Sequence, residues 1–162
     1  MISDDQEVDM TEQRRQRIVV GVDGSSGSMT AARWALRQAV VAGAAVELIY
    51  TWHMPYLADA SGYSLSVQGS AGQWNDVATS ADGVATGLLA DLGDVGQVEV
   101  SARAIEGPAA STLMQAAKGA DLLVVGRRGH GGFLGLHLGS VTTQLSHHFE
   151  GVLVIVPEVD ES

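Results

Sequence analysis

Six glycines lie within the fifteen residues from Gly126 to Ser140, and this segment is the part of the sequence best suited to chemistry. It follows an apolar run typical of a buried strand and precedes an apolar pattern typical of a helix. Glycines allow tight backbone turns and bring bare N–H groups close to a ligand. Gly139 and Ser140 add N–H groups, a hydroxyl and the positive end of a helix dipole. The segment therefore predicts an anion site, for which phosphate is the natural ligand.

Two common phosphate-binding motifs are missing from the sequence. No G-x4-G-K-[ST] is present, so the segment is not a P-loop. The loop after the first predicted strand reads G-V-D-G-S-S-G, which is not the dinucleotide fingerprint G-x-G-x-x-G. The anion site therefore belongs to a different class of phosphate-binding loop.

The charge balance narrows the ligands that the chain can take. Nine Lys and Arg residues against nineteen Asp and Glu residues give a formal net charge of -10. Nucleic acids and anionic membranes bind positively charged protein surfaces, so neither is an expected partner of this acidic chain. From Leu122 to Phe149, however, no acidic residue occurs, and Arg127 and Arg128 lie within this stretch. A local positive patch on an acidic chain can still hold a small anion.

Metal and catalytic chemistry find little support in the residue types. The chain has no cysteine, and the adjacent His147 and His148 would point about 100° apart on a helix. We therefore expect no metal site in the chain itself. Lys118 is the only lysine, no nucleophile elbow is present, and no general base is evident. These observations favour binding over turnover.

Five short apolar runs alternate with helical patterns along the chain. The predicted strands are Ile18 to Val22, Val46 to Trp52, Gln97 to Ile105, Asp121 to Gly126, and Val152 to Val156. Right-handed βαβ connections between such strands give an α/β fold, a parallel sheet with helices on both faces. In such sheets ligands bind beyond the carboxyl ends of the strands, where the strand order reverses.

The length suits a single domain with two short tails. Residues 1–16 lack apolar periodicity and predict a disordered tail, residues 17–157 form the domain, and residues 158–162 form a frayed acidic end. Residues 53–72 are rich in Gly and Ser and predict a long loop. Neither a signal peptide nor a run of about 18 apolar residues is found, so we expect a cytoplasmic protein.

The glycine spacing G-x2-G-x9-G-[ST], together with the strand segment V-G-V-D-G-S-S, resembles the ATP-binding branch of the universal stress protein family. The resemblance covers nearly all of the chain from Ile18 to Val156. Further segments that carry it are A-A-R-W-A, E-G-P-A, A-D-L-L-V-V-G, R-G-H-G-G-F and L-G-S-V. Because so many segments occur in the same order, the match is far more specific than one glycine spacing.

The resemblance implies a five-stranded, Rossmann-like parallel sheet of order 3-2-1-4-5, with ATP and its Mg²⁺ bound between the first and fourth strands. It places Gly21 and Asp23 beside the adenosine and the backbone near Thr51 beside the adenine. Asp23 could also hold Mg²⁺ through the phosphate oxygens. The residues implied to wrap the ribose and phosphates are Gly126, Arg127, Arg128, Gly129, His130, Gly131, Gly132, Gly139, Ser140 and Val141.

Some residues depart from the family pattern or allow a second interpretation. The position of Arg127 is commonly occupied by a small residue, so this side chain could reach a phosphate or crowd the pocket. Glu150 and Gly151 stand where a proline is usual. Asp23 could simply cap the helix that follows it. None of these departures removes a glycine of the motif.

The last predicted strand, Val152 to Val156, is an edge strand in the order that the family implies. A bare apolar edge is an aggregation hazard, and pairing with a second copy would cover it. The family implies such a homodimer.

The leading hypothesis from the glycine motif and the resemblance is an ATP-binding stress or regulatory module. The alternatives are a dimeric interaction protein without nucleotide and a slow ATP-hydrolysing or adenylyl-transferring enzyme.

Overall fold

Runs of β-branched and other apolar residues form the strands of this fold. The computed structural model describes residues 15–53, 57–58, 64–65, 71–129 and 138–158. Its strands are β1 (Arg17–Val22), β2 (Ala45–Trp52), β3 (Leu57–Ala58), β4 (Ser64–Leu65), β5 (Val100–Glu106), β6 (Leu122–Gly126) and β7 (Leu153–Val156). A parallel sheet of such strands buries its apolar side chains when helices cover both of its faces.

Four helices connect these strands. They are α1 (Ser26–Ala42), α2 (Ala71–Asp91), α3 (Ala109–Ala116) and α4 (Ser140–His148). The local sequence explains the bounds of α1, since Ser25 caps its first turn and Gly43 ends it in the left-handed region at φ 63°. No helix in the described ranges is long and apolar enough to cross a membrane.

The main sheet has five parallel strands in the order β5-β2-β1-β6-β7. Counted along the chain, these strands have the order 3-2-1-4-5, so the predicted architecture is confirmed. The order reverses at β1, whose neighbours are β2 on one side and β6 on the other. This reversal creates the crevice at which ligands of such sheets bind.

Each face of the sheet has its own hydrophobic core. On one face, Ala35 of α1 and Leu88 of α2 pack in the same cluster as Val20. On the other face, Leu113 of α3 and Leu145 of α4 pack in a second cluster. Full burial of an aliphatic side chain contributes about 1.5–3 kcal/mol, so the two cores fix the helices against the sheet.

The bounds differ from the predicted ones mainly on the β5 side of the sheet. The third sheet strand begins at Val100, three residues later than predicted, because turn residues around Gly96 precede it. Within the predicted loop, β3 and β4 form a small antiparallel pair. The predicted N-terminal tail lies outside the described residues apart from its end at residues 15–16.

Candidate functional site

A cavity opens where β1 and β6 separate at the carboxyl edge of the sheet. The β1–β6 ladder ends at the pair Val20 and Val124, whereas β1 continues beside β2 as far as Val22. The cavity has a volume of about 280 Å³. Its walls are Gly21, Val22, Asp23, Ser28, Ile49, Thr51, Ala109, Leu113, Val125, Gly126, Arg128, Gly129, Gly139, Ser140, Val141 and Thr142.

Apolar side chains from three elements form the floor of this cavity. Ile49 comes from β2, Val125 from β6 and Leu113 from α3, and all three belong to one hydrophobic cluster. Gly21 makes this packing possible, because a Cβ at that position would lie 2.8 Å from Leu113 Cδ1. The floor is therefore suited to a flat apolar group such as a nucleobase or the face of a sugar.

Gly126 brings α1 and β6 into backbone contact at the edge of the cavity. A Cβ on Gly126 would lie 2.8 Å from the carbonyl carbon and oxygen of Gly27. Because both neighbours are backbone atoms, no rotamer change could relieve that clash. The absence of side chains at Gly27 and Gly126 thus sets how closely the first turn of α1 approaches the end of β6.

Asp23 directly follows β1, and its carboxylate lies against Gly129 in the glycine-rich segment after β6. Its Oδ1 accepts hydrogen bonds from Ser25 N at 3.0 Å and from Ser25 Oγ at 2.6 Å. A Cβ on Gly129 would overlap Oδ2 of Asp23. The N-cap of α1 is Ser25, so the interpretation of Asp23 as the cap is wrong: Asp23 supports the capping residue and also lines the cavity.

The first turn of α4 borders the cavity, and no described side chain caps it. Gly139 occupies the N-cap position and makes no side-chain hydrogen bond, and the first turn contains no acidic residue. Gly139 N donates to Arg127 O at 2.9 Å, which holds the turn beside the end of β6. Ser140 and Val141 line the cavity. Such a helix start is a favourable place for an anion.

Two residues of opposite charge line the cavity, one after each of the two strands that separate there. Among the lining residues that the structure describes, Arg128, which follows β6, is the cation, and Asp23, which follows β1, is the carboxylate. Arg15 and Arg17 form ion pairs with Glu99 and Glu47, away from the cavity. The β6 side therefore combines a cation with a helix dipole, and this combination favours a negatively charged group.

Most of the predicted site residues meet in this cavity. Those that line it are Gly21, Asp23, Thr51, Gly126, Arg128, Gly129, Gly139, Ser140 and Val141. Arg127 does not line it. Its backbone N–H pairs with Val156 O at 2.8 Å, and its buried Nε has no hydrogen-bond partner among the residues that the structure describes. His130, Gly131 and Gly132 lie outside the described residues.

Several lining residues were not indicated by the sequence patterns. Ala109 and Leu113 come from α3, which the sequence predicts as a helix without a place in the site. Thr142 is a buried hydroxyl residue in the first turn of α4, and a search for small polar residues just after predicted helix starts would have found it. Ser28 is also buried, and it ends the segment Asp23–Ser28 that the sequence places at the carboxyl end of the first strand. In the described part of the chain, no three His, Asp or Glu side chains are grouped as metal ligands.

Comparison with known proteins agrees with this architecture. The model of the universal stress protein family matches residues 14–157. A universal stress protein from Mycolicibacterium smegmatis is 32% identical over 146 residues, covering 90% of this chain and 49% of the relative. The chain spans about half the length of the curated relatives that it matches.

Solved structures share the fold at low sequence identity. A universal stress protein in complex with cAMP has a TM-score of 0.62 and 22% identity, and the match covers 90% of this chain and 98% of that one. An Arabidopsis thaliana family protein with AMP bound has a TM-score of 0.55 and 16% identity, with 91% and 94% covered.

Proposed function

Because this chain belongs to the universal stress protein family, we propose that it binds an adenine nucleotide, namely ATP with Mg²⁺, in the cavity between β1 and β6. The observation that carries the proposal is the uncapped first turn of α4, which faces that cavity beside Arg128. Two solved proteins of the same fold are described with cAMP and with AMP bound. Nucleotide occupancy would make the chain a responsive stress or regulatory module in the cytoplasm.

The chemistry of the walls supports one orientation of the nucleotide. The apolar floor of Ile49, Leu113 and Val125 suits the adenosine part, with Thr51 and Asp23 as polar groups near it. A carboxylate such as that of Asp23 accepts hydrogen bonds from ribose hydroxyls. The phosphates would then extend toward the N–H groups of α4 and toward Arg128, where positive potential is concentrated.

Mg²⁺ would arrive with the phosphates rather than occupy a site prepared by the chain. Mg²⁺ keeps several waters and is usually held by one or two carboxylates together with substrate phosphates. Among the described residues no group of three acidic or histidine ligands exists. Asp23 is the carboxylate of the cavity wall, so it is the protein oxygen that fits this role.

We propose binding without appreciable turnover. Hydrolysis needs a group that positions or deprotonates a water, and Oδ1 of Asp23 already accepts two hydrogen bonds from Ser25. A steady-state assay of phosphate release with ATP and Mg²⁺ tests this point. We expect release at the background rate. Release well above background that Asp23→Asn abolishes would support the alternative of an ATP-hydrolysing enzyme.

A matched pair of arginine variants tests the site itself. Arg128 lines the cavity and its neighbour Arg127 does not, so the two side chains differ in place but hardly in sequence. Charge-assisted hydrogen bonds contribute about 1.5–3 kcal/mol, so Arg128→Gln should weaken ATP binding at least about tenfold. Arg127→Gln should change it less than about twofold. Isothermal titration calorimetry gives both affinities.

The outcomes of that titration separate the candidate functions. Equal losses in both variants would contradict the assignment of Arg128 to the phosphates. A wild-type chain that binds no adenine nucleotide would overturn the proposal. In that case the interaction-protein alternative, which uses only a surface of the same fold, would be favoured.

We also propose a homodimer through β7, because the two edges of the sheet differ. At the β5 edge, α2 supplies a partner for a strand amide, because Asp82 Oδ1 accepts a hydrogen bond from Ala104 N at 3.2 Å. On the β7 edge, Val152 is 59% exposed and the middle of the strand is only partly buried. Pairing of two β7 strands would cover this edge. Light scattering after size exclusion should give twice the chain mass, and a monomer at micromolar concentration would contradict this proposal.

A further inference from the structure

Thr142 is a buried hydroxyl residue in the first turn of α4. It is 3% exposed, and Ser28 is the other polar residue classed as buried in the described part of the chain. The Oγ1 atom of Thr142 donates a hydrogen bond to Gly126 O at 2.9 Å. A buried hydroxyl with a single, well-formed bond to another element fixes the relative position of the two elements.

The acceptor of this bond is the last carbonyl group of β6. The ladder with β1 ends earlier, at Val124, so β1 does not pair with Gly126. On its other side Gly126 is in register with Val156 of β7. The backbone of Gly126 also packs directly on Gly27 of α1. The hydroxyl of Thr142 is therefore hydrogen-bonded to a residue whose position α1 and β7 already fix.

We propose that Thr142 is a positioning residue for phosphate binding: its bond to Gly126 holds the first turn of α4 where its N–H groups meet the ligand. This inference rests on the proposed nucleotide site. Without the hydroxyl, Gly126 O loses its side-chain partner and the turn is free to shift away from β6. The positions of these N–H groups matter, because hydrogen bonds form over a narrow range of donor–acceptor distances and weaken steeply as the bond bends.

The neighbouring Thr143 provides a matched control on the same turn. Its Oγ1 donates to Gly139 O at 2.9 Å, so this bond stays within the helix and does not reach β6. Thr143 is not among the residues that line the cavity. Replacing each threonine by the isosteric valine removes one hydroxyl in both cases. Only the change at position 142 breaks a bond between α4 and the strand.

The experiment compares ATP and adenosine binding to the full chain and to Thr142→Val, Thr142→Ser and Thr143→Val by calorimetry. Thr142→Val should weaken ATP binding about tenfold, the size expected for a lost buried hydrogen bond and a displaced anion site. Adenosine binding should change less than about twofold, because the β1 and β2 side of the cavity is untouched. Thr142→Ser restores the hydroxyl and should bind ATP within about twofold of the wild type, as should Thr143→Val.

A second measurement separates positioning from a general loss of stability. Hydrogen exchange of the Gly139 amide, which donates to Arg127 O, and of the Thr143 amide, which donates to Gly139 O, should speed up in Thr142→Val, while exchange in β1 should stay unchanged. If the valine does not fold, Thr142→Ala removes the same hydroxyl without adding a methyl group near the carbonyl. The alanine should then show the same selective loss for ATP.

The possible results each decide the inference. Unchanged ATP affinity in Thr142→Val, equal losses for ATP and adenosine, or a serine variant as weak as the valine would overturn it. Each of these results leaves the nucleotide site itself intact. If the wild type binds no ATP, the proposed function and this inference fall together.

Discussion

Two helices begin at the same crevice, yet their N-terminal turns are finished in different ways. In α1, the Ser25 side chain accepts a hydrogen bond from Ser28 N at 3.2 Å. Asp23 supports this cap through its own bonds to Ser25. In α4, the N-cap is Gly139, which makes no side-chain hydrogen bond.

The contrast shows how one sheet edge can hold a structural and a ligand-binding helix start side by side. The first N–H groups of any helix lack partners within the helix. At α1 the chain supplies side-chain partners for two of these amides, Ser25 N and Ser28 N. At α4 it supplies a bare glycine, so an external anion can take the same place. Position beside the cavity is thus shared, whereas capping chemistry separates the two roles.

The largest expected effect comes from Gly126→Ala, which would break both helix starts together. The new Cβ would lie 2.8 Å from the Gly27 carbonyl, and backbone atoms there cannot move aside. Overpacking of this kind costs about 1–3 kcal/mol, and the cavity would widen or close. Urea denaturation should show the lower unfolding free energy, and calorimetry the loss of ATP binding. Wild-type values in both would mean that the α1–β6 contact is not tight.

A smaller effect is expected when α4 is given the kind of cap that α1 already has. Gly139→Asp places a carboxylate at the N-cap, where it would satisfy the helix and repel phosphate. We expect ATP affinity to fall about a hundredfold, in line with a like charge a few ångströms away. Stability should rise by a few tenths of a kcal/mol.

The neutral variant Gly139→Asn separates capping from charge. Both side chains fit the extended backbone of Gly139, with φ -70° and ψ 163°. The asparagine variant should lose clearly less ATP affinity than the aspartate variant in the same titration. If both bind ATP like the wild type, the α4 turn does not hold the phosphates.

The smallest effect on binding is expected at the other helix. Ser25→Ala removes the cap of α1 and should lower the unfolding free energy by about 1 kcal/mol. ATP affinity should fall less than in either Gly139 variant, since the α1 turn is not the phosphate site and Asp23 keeps its hydrogen bond from Ser25 N. Ser146→Ala, an exposed hydroxyl that bonds within α4, serves as the stability control. A large loss of ATP affinity in the Ser25 variant would remove the distinction between the two helix starts.

The fold and much of the cavity could be predicted from the sequence because they depend on local patterns. Apolar β-branched runs such as residues 18–22 and 152–156 marked strands, and Gly139-Ser140 marked the start of α4. The strand order and the nucleotide came from the family resemblance. The directions of individual side chains could not be predicted. Arg128 lines the cavity and the adjacent Arg127 does not, because their directions depend on how the chain leaves β6.

Contacts between distant elements could not be predicted. Leu113 reaches the floor only because Gly21 leaves it room, and those two residues lie far apart in the sequence. The bond from Thr142 to Gly126 likewise depends on how α4 packs on β6. The difference in capping between α1 and α4 is visible in the residue types, but its meaning requires the knowledge that both turns face one cavity.

The most direct test is a crystal structure of the chain grown with ATP and Mg²⁺. We predict that phosphate oxygens lie about 3 Å from the N–H groups of Ser140 and Val141, with the adenosine over Ile49 and Leu113. No phosphate oxygen should contact the first turn of α1. Phosphates bound at Ser28, or a nucleotide outside the cavity, would contradict the account.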